Sequence, residues 1–312
     1  MFKTQNTLCR YQLLTWLTTG ALLALSFLDA TSAGAATLDR IRQAGKVTFG
    51  FYDADARPFS FAEEPGKPTG YTISLCEKIA EEIRAEVGIS ELAVEWIPVA
   101  IEDRYTAIEQ GKIDLLCGAS AVTLERRKQV SFSIPIFSGG ITVMLRTDSA
   151  RALHDVLAGR PASGPIWRGF PAQLLVGKTF SVVAGTTAET WLADRLHDFQ
   201  LAATVAPVED YNVGAQRLLE RTSDALFGEH SVLVEAAAHS SAPGDLFVLE
   251  RMFTSEPDAL AVPRNDDDFR LVVDRSLSRY FGTDEFRDLY AKWFGRVDET
   301  VLSFFRKSAL PE

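Results

Sequence analysis

The run Thr123-Leu124-Glu125-Arg126-Arg127 sets a hydroxyl residue one helical turn ahead of two guanidinium groups, just beyond an apolar strand expected to end at Cys117. A strand's carboxyl end, the free N–H groups of a helix start and a guanidinium fork together make a seat for a small anion such as a carboxylate. The same run also reads as an N-cap followed by an ion pair on a helix surface, which needs no ligand. Enzyme motifs do not accompany it: there is no GxGxxG after a strand, no Walker A run, no HExxH, no GxSxG and no CxxC. His154, His197, His230 and His239 never share ligand spacing, so neither a metal nor another cofactor is expected.

The elements that must position this run alternate. Residues 46–51 read as a buried strand, and 74–87 as a helix with Leu75, Ile79, Ala80 and Ile83 on one face and Glu77, Lys78, Glu81, Glu82 and Arg84 on the other. Strand 93–99, helix 103–110, strand 114–117, helix 123–129 and an extended 132–136 follow. A stretch dense in Gly and Pro, 159–177, marks an insertion or connection. A second series then runs strand 179–183, helix 187–199, strand 203–208, helix 211–221, strand 225–227, helix 231–239, strand 246–249. One last strand, 259–262, precedes helices at 267–280, 283–294 and 299–307. Since a lone strand cannot make its own sheet, it is expected to return to the first unit. That gives a discontinuous first lobe and two chain crossings, near 137–140 and 255–258, that would act as a hinge.

The chain has 312 residues, 46% hydrophobic and 24% charged, enough for two ordinary domains and too apolar for disorder. A net charge of −10 without any block of Lys or Arg argues against nucleic acid as a partner. Lys3 and Arg10 precede an uncharged stretch from Tyr11 to Leu28, and small residues from Thr31 to Ala36 follow. That order predicts a secretory signal peptide over 1–36, cut at Ala33-Gly34-Ala35 or Gly34-Ala35-Ala36; an uncleaved anchor is the rival. Cys9 falls too early for a lipid anchor, and Cys76 and Cys117 in an exported chain read equally as a disulfide or as two buried thiols.

Six motifs in order make the sequence familiar: Arg57-Pro58-Phe59-Ser60-Phe61; Gly70-Tyr71-Thr72-Ile73-Ser74-Leu75-Cys76; Gly111-Lys112-Ile113-Asp114-Leu115-Leu116-Cys117-Gly118; Thr123 to Arg127 running on to Val130-Ser131-Phe132-Ser133-Ile134-Pro135; Gly185-Thr186-Thr187-Ala188-Glu189; and Lys292-Trp293-Phe294-Gly295. Over essentially the whole mature chain it resembles the family 3 periplasmic solute-binding proteins, the amino-acid receptors of ABC importers. The resemblance implies an α/β fold of periplasmic binding protein type II, each lobe a mostly parallel sheet flanked by helices. The lobes would be 37–138 with 256–312, and 139–255. It also implies a Cys76–Cys117 disulfide.

By the same resemblance Arg126 clamps the α-carboxylate of a ligand, with Thr186 and Thr187 helping, and Glu229 takes the α-ammonium where the family more often has Asp. Ala119 and Ala121 stand where many relatives carry hydroxyls, so their backbone groups would act. Phe59 competes between ligand wall and core, as does Phe61; Arg57, Tyr52 and Ile101 are further pocket candidates, and Arg104 reads equally as a loop brace. Thr72 and Ser74 stand where acidic residues are common. The function implied is a monomeric periplasmic receptor that captures an amino acid or related small carboxylate by hinge closure and delivers it to an inner-membrane permease. The alternatives are a sensing receptor without import, or a dehydratase-type enzyme with Glu229 as its acid or base.

Overall fold

A computed structural model describes residues 37–52, 54–160 and 171–312; the expected signal peptide and most of the Gly/Pro-rich stretch lie outside the described residues. The chain enters through α1 (Thr37–Ala44), β1 (Lys46–Tyr52), the hairpin β2 (Phe61–Glu64) and β3 (Lys67–Thr69), α2 (Tyr71–Val87), β4 (Ala93–Val99), α3 (Arg104–Glu109) and β5 (Leu115–Ala121). Short β6 (Ser131–Phe132) and β7 (Phe137–Gly139) lead to β8 (Ile141–Arg146), α4 (Arg151–Leu157), β9 (Thr179–Val183), α5 (Thr187–Asp198), β10 (Thr204–Val208) and α6 (Tyr211–Leu219). Then come β11 (Ala225–Glu229), α7 (His230–Ala238), β12 (Leu246–Val248), β13 (Glu256–Val262), α8 (Asp267–Phe281), α9 (Asp284–Phe294) and α10 (Glu299–Ser308).

Two sheets result, in the orders β4-β1-β5-β13-β6 and β10-β9-β11-β8-β12, with β7 paired to β13. The sheets are more mixed than expected: β4, β1 and β5 run parallel, as do β10, β9 and β11, but β13 and β8 join antiparallel. Antiparallel entry follows from connectivity, because β8 and β13 are the strands by which the chain changes sheet, arriving directly from a crossing rather than through a covering helix. The two crossings pair with each other, Gly139 opposite Glu256 and Phe137 opposite Asp258. A two-stranded ladder thus joins the lobes.

In the first lobe α2 lays Leu75, Ile79 and Ile83, all fully buried, over a core that contains Val47, Phe49 and Leu115. Each such side chain stabilises the fold by about 1.5–3 kcal/mol. In the second, Phe180, Val182 and Phe227 pack with Leu192 of α5. Both lobes fasten their central strands alike. Asp114 Oδ2 accepts the Thr48 N–H at 2.8 Å, and Asp224 Oδ2 accepts the Thr179 N–H at 2.9 Å. Cys76 and Cys117 form a disulfide that ties α2 to β5, with Cα atoms 6.1 Å apart.

The helix expected over 123–129 is not formed. Only Arg126–Lys128 makes a single 3-10 turn, and β5 runs on past Cys117 to Ala121. The Thr123 hydroxyl accepts the Arg126 N–H at 3.1 Å, a local bond that competes with helix, and Val130 is drawn into the core only four residues later. Helix α2 starts earlier than expected, at Tyr71, because Tyr71 is fully buried and its hydroxyl reaches the Ile136 carbonyl at 2.8 Å.

Candidate functional site

Between the two lobes lies a cleft with about 750 Å³ of empty space, its open mouth included. Strand ends and loops of both sheets supply its walls, so its residues are far apart in sequence. From the first lobe come Tyr52, Phe59, Ile101, Arg104, Ala119, Ser120, Ala121 and Arg126; from the second, Thr186, Thr187, Tyr211 and Glu229; from the crossing strand, Glu256 and Asp258.

Arg126 is aimed across the cleft from the turn after β5. Its Nη1 donates to the Ala121 carbonyl at 2.8 Å and its Nη2 to the Gly185 carbonyl, on the opposite lobe, at 3.4 Å. Arg104 converges on the same acceptor, donating from Nη2 to Gly185 O at 2.9 Å and from Nη1 to Ile101 O, with its guanidinium 4.5 Å from the Tyr105 ring centre. It is only 6% exposed, so it braces the loop and lines the cleft at once. A guanidinium has five N–H donors, so both arginines keep donors for a carboxylate. Gly185 can turn here because its φ is +72°, which sets its carbonyl ahead of α5.

Three acids share the lining. Glu229 ends β11 and caps α7, its Oε2 accepting the Val232 N–H at 2.9 Å; its Oε1 is buried without a hydrogen-bond partner among the described residues. Burial pushes its carboxyl up to about 7, against the pull of the Val232 and Ser231 groups, and Glu256 nearby adds to the rise. Asp258, 4% exposed, likewise has an unpartnered Oδ2, and burial together with Glu229 and Glu256 holds its carboxyl well above the usual range despite Arg126. Glu256 is satisfied, by the Thr187 hydroxyl at 2.8 Å and the Thr254 hydroxyl at 2.9 Å. Burial and Glu229 push the Tyr211 hydroxyl up as well. Among the described residues no group of three or more His, Cys, Asp or Glu is placed to hold a metal ion.

The expected residues divide. Arg126, Glu229, Thr186, Thr187, Ala119, Ala121, Phe59 and Ile101 all line this cleft. The Thr187 hydroxyl donates a hydrogen bond to Glu256, and the Thr186 hydroxyl donates to the Val183 carbonyl at 2.7 Å. Phe59 serves both roles weighed for it: it lines the cleft and packs against Phe137 and Phe294 at 5.0 and 5.5 Å. Arg57 lies outside the cleft. It pairs with Asp55 and covers the Phe61 ring at 4.0 Å, and that ion pair and stacking hold it beside a small neighbouring pocket with His239. Phe61 packs on Trp293 instead of the cleft.

Tyr52 is a cleft residue in earnest. Its hydroxyl bonds the Ser120 hydroxyl at 3.0 Å, and its ring lies so close over Gly118 that any Cβ there would strike it. Sequence reasoning missed Glu256, Asp258 and Tyr211. The available signal was two acids flanking Pro257 at an expected crossing, where a strand joining the lobes borders the cleft.

Residues 49–296 match the bacterial extracellular solute-binding proteins, family 3. The L-glutamate/L-aspartate-binding protein of Pseudomonas aeruginosa is 28% identical over 260 residues, 83% of this chain and 80% of that protein. A putative amino-acid ABC transporter-binding protein of Escherichia coli is 26% identical, covering 85% and 71%. Among solved structures, an ancestral amino-acid-binding protein described as a precursor of cyclohexadienyl dehydratase aligns with a TM-score of 0.67 and 26% identity, over 83% of this chain and all of that one. An ancestral arginine-binding protein bound to arginine aligns at 0.65 and 25%, over 80% and 99%. With a matched region that spans the two sheets and the cleft between them, the chain belongs to the family 3 bacterial extracellular solute-binding proteins.

Proposed function

We propose that the chain is a periplasmic receptor for an amino acid or a closely related small carboxylate, exported by a cleaved signal peptide, which passes its ligand to the permease of an ABC importer. The observation that carries this is the mixed charge of the cleft lining, which brings Arg126 and Arg104 together with the buried acids Glu229 and Asp258. An amino acid has charges of opposite sign to match. Arg126 takes the α-carboxylate and Glu229 the α-ammonium, each charge offsetting the desolvation of its partner. The relatives named for amino-acid binding support the same reading.

Capture is a population shift between open and closed arrangements of the lobes. Residues 37–138 with 256–312 form one moving body and 139–255 the other, turning about the β7–β13 ladder. Gly185, held by both arginines, is the latch between them. A permease would read that closure.

A thermal-shift screen across amino acids and small carboxylates tests the proposal. A hit stabilises the protein by RT ln(1 + [L]/Kd), about 2.7 kcal/mol at a hundredfold excess over Kd. Absence of any stabilisation across the set would overturn it. A second reading rests on Glu229, whose carboxyl near 7 suits a general acid, and on the dehydratase lineage of one structural neighbour. Conversion of a prephenate-like acid to product on incubation would establish that reading; unchanged substrate excludes it.

A further inference from the structure

Asp258 is a buried acid that the receptor reading does not use. It sits on β13 where that strand pairs with both β5 and β7, so its backbone is fixed, opposite Ala121 on one side and Phe137 on the other. Its Oδ2 has no donor among the described residues, as is true of Glu229 Oε1. The two carboxylates are neighbours: a Cβ added to Gly139 would fall on Asp258 Oδ2 and lie 3.6 Å from Glu229 Cγ. Gly139 therefore keeps clear the small space that both acids border.

We propose that Asp258 determines ligand class, forming with Glu229 a two-carboxylate seat that makes the cleft select amino acids carrying a second cationic nitrogen, such as a side-chain ammonium or guanidinium. The inference rests on the receptor reading above. Hydrogen bonding alone would be met by one ammonium, which has three N–H donors. Charge would not. The groups facing Asp258 are Glu229, Glu256 and Arg126, and the whole cleft adds only Arg104. Ionising all three carboxylates against two guanidiniums leaves one negative charge, so without a further cation one of the orphaned acids keeps its proton. A ligand of net charge +1 balances the fully ionised site, a zwitterion balances it only with one acid protonated, and a ligand with two carboxylates requires two. An uncompensated buried charge is what a desolvated site tolerates least. Glu256, already served by two hydroxyls, offers little further pull on a cation, so the discrimination falls to Asp258.

The test is calorimetry at pH 8 on the mature chain and on Asp258→Asn, with L-arginine, L-lysine, L-glutamine and L-glutamate. The wild type is expected to bind arginine or lysine at least about tenfold more tightly than glutamine, with glutamate weakest; Asp258→Asn is expected to lose that preference, the ratio of the two affinities falling to about one or below. Tightest wild-type binding of glutamate or glutamine overturns the inference while leaving the receptor reading intact, and so does an unchanged preference in Asp258→Asn. If the variant does not fold, the wild-type order alone decides. Failure of all four ligands to bind the wild type overturns the receptor reading, and this inference with it.

Discussion

The two arginines of the cleft, Arg104 and Arg126, give hydrogen bonds to the carbonyls of Ile101, Ala121 and Gly185, whereas two of its acids, through Glu229 Oε1 and Asp258 Oδ2, are buried without a donor among the described residues. The cations are therefore built into the architecture and the anions are held in reserve. A guanidinium can brace two lobes and still grip a carboxylate, because it has donors to spare and stays charged at every accessible pH. A carboxylate has no such latitude. Buried without a partner it takes up a proton, so the acids respond to pH and to ligand charge while the arginines do not.

The difference can be broken first at its arginines. Arg126→Ala removes both the proposed ligand clamp and one of the two donors to Gly185 O, and is expected to weaken binding by about 3–5 kcal/mol, a factor on the order of 10²–10³ or more in Kd. Unchanged calorimetric affinity would remove Arg126 from the site.

Changing pH sharpens the same contrast. Because the Glu229 carboxyl is raised from 4.5 to about 7, the folded protein holds a proton that the unfolded chain has lost across that window. The group's contribution to ligand-free stability is thus greatest below the lower value and is lost as pH rises through the upper one. Ligand binding runs the other way, since an ammonium pairs with the ionised form. Affinity for an amino acid should fall about tenfold for each pH unit below 7, read by titration between pH 8 and 5, and the melting temperature of the free protein should move in the opposite sense. Asp258 faces the same space, so Glu229→Gln should flatten both profiles without abolishing them altogether.

Gly139→Ala probes the space between the two acids. With Asp258 Oδ2 where the new methyl must go, it is expected to cost about 1–3 kcal/mol of stability, measured by urea denaturation. Smallest is Thr187→Val, which takes from Glu256 one of its two hydroxyl donors. A loss of about 1 kcal/mol in stability is expected, measured by urea denaturation.

Much of this was legible along the chain. The βα alternation placed the main strands and helices of both lobes, since apolar periodicity reports burial directly, but not α1, the β2–β3 hairpin, β7, β8 or α4; the six motifs pointed to the two-lobed fold and to Cys76 with Cys117. The turn at Arg126 was misread as a helix because its decisive bond, Thr123 hydroxyl to Arg126 N–H, has the same spacing as a helix N-cap. Arg57 was expected in the pocket, but Asp55 and Phe61, its near neighbours in sequence, hold it elsewhere.

What the sequence determined by itself was what local pattern encodes: where the main strands and helices lie, which faces are apolar, and that one arginine follows a strand end fit to seat an anion; the acid at Glu229 came from the resemblance. What only the tertiary structure decided was how charges meet. Glu229, Glu256 and Asp258 come from segments about thirty residues apart, and only when β11 and β13 converge on the interlobe ladder do they share one desolvated space with Arg126. Electrostatic character depends on burial and distance in three dimensions, and neither is written in the spacing of residues along the chain.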